Sequence, residues 1–255
     1  MRHWMISWIC LIFLGFTTPG HTADYEAQQR PAEGDYVVLV HGLDWFRNTM
    51  APAAAYLHSQ GYETINVRYP SRKIATACEA AEWVRKVVNE RCRDHRKQIH
   101  LVGHSMGAIV VREYLAGGKP LRLGKVILLA APNQGTPLAD PLRWKPLARM
   151  ISPAVAHSCA RQKAELNEKN PLLPVDYAPA VIMGNQSGWF PMLSPFIKGP
   201  DDGVVAVESG KLPGMSSFRV MKTSHTRITR QPDILREISL FLKTGQFSPE
   251  LPSLN

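Results

Sequence analysis

The chain has 255 residues, 45% of them apolar and 20% charged, with a formal charge of +9. That length suits one domain with a substantial core, and the balance is that of a globular protein rather than a disordered or membrane-filling one. The cations are spread along the chain with few aromatics between them and no basic tail, which argues against nucleic acid as a partner.

The N-terminus is different in kind. Arg2 and His3 precede an apolar run at residues 4–16, and a small, polar stretch follows at 17–23. This is the order of a secretory signal peptide, and the run is shorter than the ~20 residues a spanning helix needs. Residues 1–23 are read as a signal cleaved after Gly20 or Ala23, and 24–255 as an exported domain, periplasmic or secreted. Cys10 leaves with the signal, while Cys78, Cys92 and Cys159 remain. At most one internal bridge can form among three. Cys78 and Cys92 fall near opposite ends of one predicted helix, about 1.5 Å × 14, or roughly 21 Å, apart. That is beyond a disulfide's reach. Pairing of Cys78 with Cys159 stays open, as do three reduced, buried thiols.

From residue 36 onward, β-branched apolar runs alternate with helical patterns. Residues 36–40, 64–69, 99–102, 125–130, 180–184 and 218–222 read as strands. Val37-Val38-Leu39-Val40 and Val126-Ile127-Leu128-Leu129 are apolar without alternation, as in strands covered on both faces. Thr49 is placed to cap a helix reaching Gly61, with Pro52 in its first turn. Residues 75–91 put Ala80, Val84, Val87 and Val88 on one stripe. Arg91, Arg93, Arg96 and Lys97 follow, at a helix end where cations suit the dipole. They read as a solvated face, with an anionic membrane surface as the alternative reading. Residues 138–178 break the alternation with prolines and short helical pieces bearing Trp144, Leu147, Met150, Ile151 and Val155. This predicts a small helical cap inserted above the strand ends. Residues 232–243 form a last amphipathic helix through Ile234, Ile238, Phe241 and Leu242, and 248–255 read as a loose tail. The alternation predicts an α/β domain with a doubly wound, mostly parallel sheet.

The chemistry begins at Gly103-His104-Ser105-Met106-Gly107, directly behind one predicted strand and ahead of a helical run at 108–115. A sharp strand-to-helix turn presents a serine hydroxyl without steric cover, and small residues two before and two after are needed to avoid collision. Such a serine also sits at a helix N-terminus, where unpaired N–H groups favour developing negative charge.

With further motifs in order, the chain resembles the α/β-hydrolase family, within it the lipase and esterase branch, over roughly residues 35–242. The motifs are Val40-His41-Gly42-Leu43, the serine turn, Ala131-Pro132-Asn133-Gln134-Gly135-Thr136, Asp201-Asp202-Gly203-Val204-Val205 and Ser224-His225-Thr226-Arg227-Ile228. The order Ser…Asp…His is that of this fold. The resemblance implies Ser105 as nucleophile, His225 as base and Asp202 as the acid, with Asp201 as its rival. It implies backbone N–H groups of Leu43 and Met106 as the oxyanion hole. His104 and His41 read as structural, His104 pointing away from the site. His58, His95, His157, Asp140 and Asp176 receive no role. Trp189, Phe190 and Leu193 lie in an apolar loop on the catalytic face, either lining an acyl pocket or packing beneath the cap.

The expected reaction is hydrolysis of carboxylic esters with hydrophobic acyl chains, lipid or small molecule, through an acyl-enzyme and without metal or cofactor. A phospholipase, thioesterase or acyltransferase on the same triad is the nearest alternative. A non-catalytic binding protein of the same fold is the remote one.

Overall fold

The structure, a computed structural model, describes residues 34–43, 48–71, 73–74, 76–136, 175–187 and 197–249. The predicted signal at 1–23, most of the predicted cap with Cys159, and the loop bearing Trp189, Phe190 and Leu193 lie outside them. In chain order the elements are β1 (Tyr36–Val40), α1 (Ala51–Ser59), β2 (Glu63–Val67), α2 (Ala77–Arg91), β3 (Ile99–His104) and α3 (Met106–Ala116). They continue with β4 (Leu123–Leu129), β5 (Ala180–Gly184), a short 3-10 turn (Glu208–Gly210), β6 (Ser217–Met221) and α4 (Pro232–Thr244). No helix among the described residues is long and apolar enough to cross a membrane.

The six strands form one sheet in the order β2-β1-β3-β4-β5-β6, and every neighbouring pair is parallel. The sheet is a middle layer because its strands are apolar on both faces. Tyr36, Val38, Val40, Leu101, Val126, Leu128, Val181 and Met183 pack on one side with α2 and α3. Val37, Leu39, Val102, Ile127, Leu129, Ala180 and Ile182 pack on the other with α1 and α4. Strand alternation therefore feeds two cores. The winding direction reverses between β1 and β3, and a crevice outside the C-terminal strand ends at such a point is where open α/β sheets bind ligands.

Local chemistry fixes the helices. Thr76 caps α2 by accepting the Glu79 N–H at 3.1 Å, the Thr/Glu pairing of a capping box. Pro232 opens α4, and Gly245 closes it in a left-handed conformation, as such ends favour. Thr49 does not cap α1. Met50 holds that position with no side-chain bond, because a backbone turn from Asn48 C=O to Ala51 N–H closes the helix start and Met50 is drawn fully into the core.

Two further expectations change. The chain is not loose at Ser248, whose N–H donates to Glu237 at 3.0 Å and whose hydroxyl accepts from Arg219 at 2.8 Å. Arg219 in turn pairs with Glu237 at 3.1 Å, so the end of the described chain is strapped to β6 and α4. Within the basic cluster Arg91, Arg93 and Arg96 are exposed, but Lys97 is not a solvated cation. It pairs with Glu63 at 2.9 Å and lies 5.1 Å from the Tyr36 ring centroid. Cys78 and Cys92 fall at the two ends of α2, with Cys78 Sγ 3.3 Å from Glu113 Oε2. Burial pushes the Cys92 thiol up to about 12, which keeps it protonated and inert.

β1 and β3 are in register at Val40 and Gly103, and α3 starts by crossing the end of β1. A Cβ on Gly107 would lie 2.2 Å from the Val40 carbonyl oxygen and 2.5 Å from that of His41. Backbone cannot yield there as a side chain would. Gly107→Ala is therefore expected to cost about 1–3 kcal/mol of stability by overpacking. The measurement is the urea midpoint at constant m-value; an unchanged midpoint would mean that α3 can lift off β1 freely.

Candidate active site

β3 ends at His104 and α3 begins at Met106, so Ser105 alone makes the turn, with φ 56° and ψ −124°. A non-glycine residue with positive φ is strained, and packing holds this one in place. The Ser105 N–H donates to Leu129 C=O at 2.9 Å, and its own C=O accepts from Ala108 N–H at 3.0 Å. A Cβ on Gly103 would sit 2.7 Å from Ala108 Cα and from the Gly107 carbonyl oxygen. The need for small residues on either side of the serine thus has two causes. Gly103 faces the turn itself, whereas Gly107 faces β1.

The loop after β1 runs past the same hydroxyl. A Cβ on Gly42 would be 2.9 Å from Ser105 Cβ and 3.4 Å from its Oγ. Leu43, the next residue, is half-buried against the core. Met106 opens α3, so its N–H has no carbonyl one turn earlier within that helix. Gly42 is a close-approach position that the sequence motif contained without explaining. Tyr69 was missed altogether: its ring stacks on His41 at 4.3 Å and its hydroxyl donates to the His41 carbonyl at 2.5 Å. His41 Nδ1 lies 2.8 Å from the Gly42 carbonyl oxygen. His41 therefore supports this loop and does not reach Ser105.

Asp202 and His225 arrive from the far side of the sheet, after β5 and β6. His225 Nε2 is 2.9 Å from Ser105 Oγ, and His225 Nδ1 is 2.8 Å from Asp202 Oδ2. A carboxylate only accepts, so Nδ1 carries the proton and Nε2 offers its lone pair to the serine O–H. The other carboxylate oxygen, Oδ1, accepts the N–H groups of Val204 and Val205 at 3.0 and 2.8 Å. Asp202 is buried, and its C=O takes the His225 N–H at 3.0 Å, so the two residues are joined through both side chain and backbone. Asp201 turns the other way. Its Oδ1 accepts the Gly203 N–H at 2.7 Å, an Asx-type contact that shapes the turn.

His104 does not point away from the site. Its ring lies 5.0 Å from that of His225, and its Nε2–H donates to the His225 carbonyl at 2.9 Å. Burial, reinforced by the neighbouring His225, drives the His104 imidazole down to about 3. It is a neutral prop under the base rather than a proton carrier. Its Nδ1 is buried with no hydrogen-bond partner.

A model of the alpha/beta hydrolase family matches residues 37–235. The chain belongs to that family. Solved structures of similar fold include the lipase BlEst2 of Bacillus licheniformis in its mature form, with TM-score 0.64 and 21% identity over 84% of this chain and 94% of that one. A metagenomic carboxyl esterase, MGS0156, has TM-score 0.62 and 19% identity over 84% and 76%. The phospholipase PlaB of Legionella pneumophila has TM-score 0.64 and 16% identity over 83% and 60%. At these identities the likeness is one of fold. No curated protein matches the chain.

In this α/β hydrolase the remaining candidates separate cleanly. Asp176 is exposed and pairs with Lys119 at 2.5 Å, with no part in the serine line. Asp140, His157 and the loop with Trp189, Phe190 and Leu193 lie outside the described residues. Among the described residues no group of three or more His, Cys, Asp or Glu is gathered as metal ligands would be. A cavity of about 530 Å³ opens at the opposite end of the sheet, near the start of β3. Its cations are engaged internally: Lys97 with Glu63, Lys119 with Asp176, and Arg122 with the His95 carbonyl.

The state of His104 has a measurable consequence. Unfolded, it takes a proton as pH falls below its ordinary 6.5; folded, it stays neutral down to about 3. The unfolded chain binds more protons in that window, so stability present above 6.5 is lost on acidification, by at most about 1.4 kcal/mol per pH unit. His104→Gln removes this contribution, and urea unfolding across the window should show a shallower pH slope than wild type. Equal slopes would mean the ring is not held neutral.

Proposed function

We propose that this hydrolase cleaves carboxylic esters with hydrophobic acyl chains through a Ser105–His225–Asp202 triad. The observation that carries the reading is the continuous line from Ser105 Oγ to His225 at 2.9 Å and from His225 to Asp202 at 2.8 Å. It starts on a strained turn at a helix N-terminus. In the proposed cycle, His225 Nε2 takes the Ser105 proton while Oγ attacks the ester carbonyl carbon. The oxyanion of the tetrahedral intermediate is received by the backbone N–H groups of Met106 and Leu43. Losing one such donor typically costs about 3 kcal/mol of barrier. Collapse expels the alcohol, protonated by His225, and leaves an acyl-Ser105. Water, deprotonated by His225, then attacks the acyl carbon, and Ser105 regains its proton. Asp202 keeps the imidazole in the required tautomer and stabilises its cation.

The preference for an acyl ester draws support from the lipase and esterase among the similar folds and from the apolar sequence around Trp189, Phe190 and Leu193. A fluorophosphonate probe is expected to label wild type and not Ser105→Ala. Asp202→Asn should lower ester turnover by about 10³–10⁴, while Asp201→Asn stays within about tenfold because Asp201 Oδ1 accepts the Gly203 N–H of the turn rather than facing His225. Leu43→Ala and Met106→Ala should act mildly, since the donors there are backbone. A folded wild type that resists the probe sinks the reading. A p-nitrophenyl ester series, run with emulsified triglyceride and phospholipid, then separates lipase, esterase and phospholipase.

The signal-like residues 1–23 support export of the hydrolase to the periplasm or medium. N-terminal sequencing of protein recovered there should begin after Gly20 or Ala23. Intact Met1 on cytosolic protein alone would refute this.

A further inference from the structure

The run Pro132-Asn133-Gln134-Gly135-Thr136 leaves the C-terminal end of β4 and lies against the segment that follows the acid. Asn133, fully buried, donates from Nδ2 to the Gly210 carbonyl at 2.7 Å and accepts from Arg112 of α3 at 3.3 Å. Gln134 reaches Ser209 through its N–H at 2.9 Å and Lys211 through its side chain at 3.1 Å. These contacts fasten the chain beyond the acid. The contact of Thr136 is of another kind. Its hydroxyl donates to the Val204 carbonyl at 2.7 Å. The N–H on the other side of that same peptide group is Val205's, which donates to Asp202 Oδ1 at 2.8 Å.

We propose that Thr136 is a positioning residue for the acid, acting through the single peptide group between Val204 and Val205. The proposal rests on the triad reading given above. A peptide unit is planar and stiff, so fixing the direction of its carbonyl fixes the direction of its N–H. A hydrogen bond accepted at the carbonyl also polarises the group and strengthens its N–H as a donor, by about 10–30% per bond. Thr136 therefore aims and reinforces one of the two N–H groups that hold Oδ1, leaving Oδ2 directed at His225. The line of hydrogen bonds runs from Thr136 Oγ through the peptide, Asp202 and His225 to Ser105 Oγ. The β-branch of threonine limits its χ1 choices, which suits a hydroxyl aimed at the Val204 carbonyl. Serine keeps the donor with a freer rotamer. Valine keeps the shape and loses the donor.

The test is ester turnover in Thr136→Val, Thr136→Ser and Thr136→Ala, with and without Asp202→Asn. Thr136→Val is expected to lose about tenfold in kcat, the scale of one buried hydrogen bond broken on one side, with KM within about twofold. Thr136→Ser should recover most of the loss. Thr136→Ala, which removes the same hydroxyl with less bulk, should match Thr136→Val if the valine protein folds and stands in for it if not. In the Asp202→Asn background, removing the Thr136 hydroxyl should change kcat far less, because coupled residues are non-additive. Wild-type kcat in both hydroxyl-less variants overturns the proposal, as does an equal fall with and without Asp202. If Asp202→Asn alone leaves turnover unchanged, the triad reading itself has failed and the proposal falls with it. If Asp202→Asn is crippled while the Thr136 variants are unaffected, only the proposal falls.

Discussion

Everything at this site depends on one strained residue. Ser105 is held at φ 56°, a conformation that costs an L-residue about 1–3 kcal/mol, and the surrounding backbone leaves it no alternative. The strand before it is locked between β1 and β4, the helix after it is almost wholly buried, and the turn between them has no spare residue. Relaxing the turn would require moving β3 or α3, and both are core elements. The strain is therefore a small charge on a large, rigid body. The same tightness explains why backbone rather than side chain fills the space around the hydroxyl, with Gly42, Gly103 and Gly107 each at contact distance from a neighbouring chain.

That arrangement divides the labour between two kinds of group. Position is set by backbone: the β1 loop beside Oγ, the Leu129 carbonyl on the Ser105 N–H, the Asp202 carbonyl on the His225 N–H. Charge is handled by a few buried side chains whose protonation is dictated by their partners. Asp202 has two N–H donors on one oxygen and an imidazole on the other. His104 is kept neutral by burial, reinforced by the neighbouring His225, against the opposing pull of Asp202. Two histidines 5.0 Å apart thus have different hydrogen-bond partners, His225 a carboxylate and His104 a backbone carbonyl.

Features written locally in the chain were legible from sequence. Residues 36–40 and 180–184 form strands with the expected bounds, and the others differ by a few residues at their ends. The serine turn was readable because its requirements fall within five residues. Side-chain direction was not. Asp201 and Asp202 share a turn, and only the structure distinguishes the carboxylate that folds back on Gly203 from the one that reaches His225. The cap at Thr49 failed because a backbone turn at Asn48 competes with side-chain capping and wins. Asn133 and Thr136 stood in a recognisable run, but their partners lie 77 and 68 residues further on, beyond what any local pattern encodes. His104 was read as structural, and its contact with the base loop, 121 residues away, was hidden for the same reason.

The distance along the chain between Ser105 and His225, 120 residues, carries a consequence for assembly of the site. Ser105 belongs to the first four strands, whereas Asp202 and His225 follow β5 and β6. The serine turn alone lacks both the imidazole and the carboxylate that line up behind its hydroxyl in the folded chain. β6 lies at the edge of the sheet, so His225 is carried by an edge strand and Ser105 by a central one. The hydrogen bond between Ser105 Oγ and His225 Nε2 therefore forms only with that edge in place. The order of the strands thus ties the contact between Ser105 and His225 to completion of the sheet.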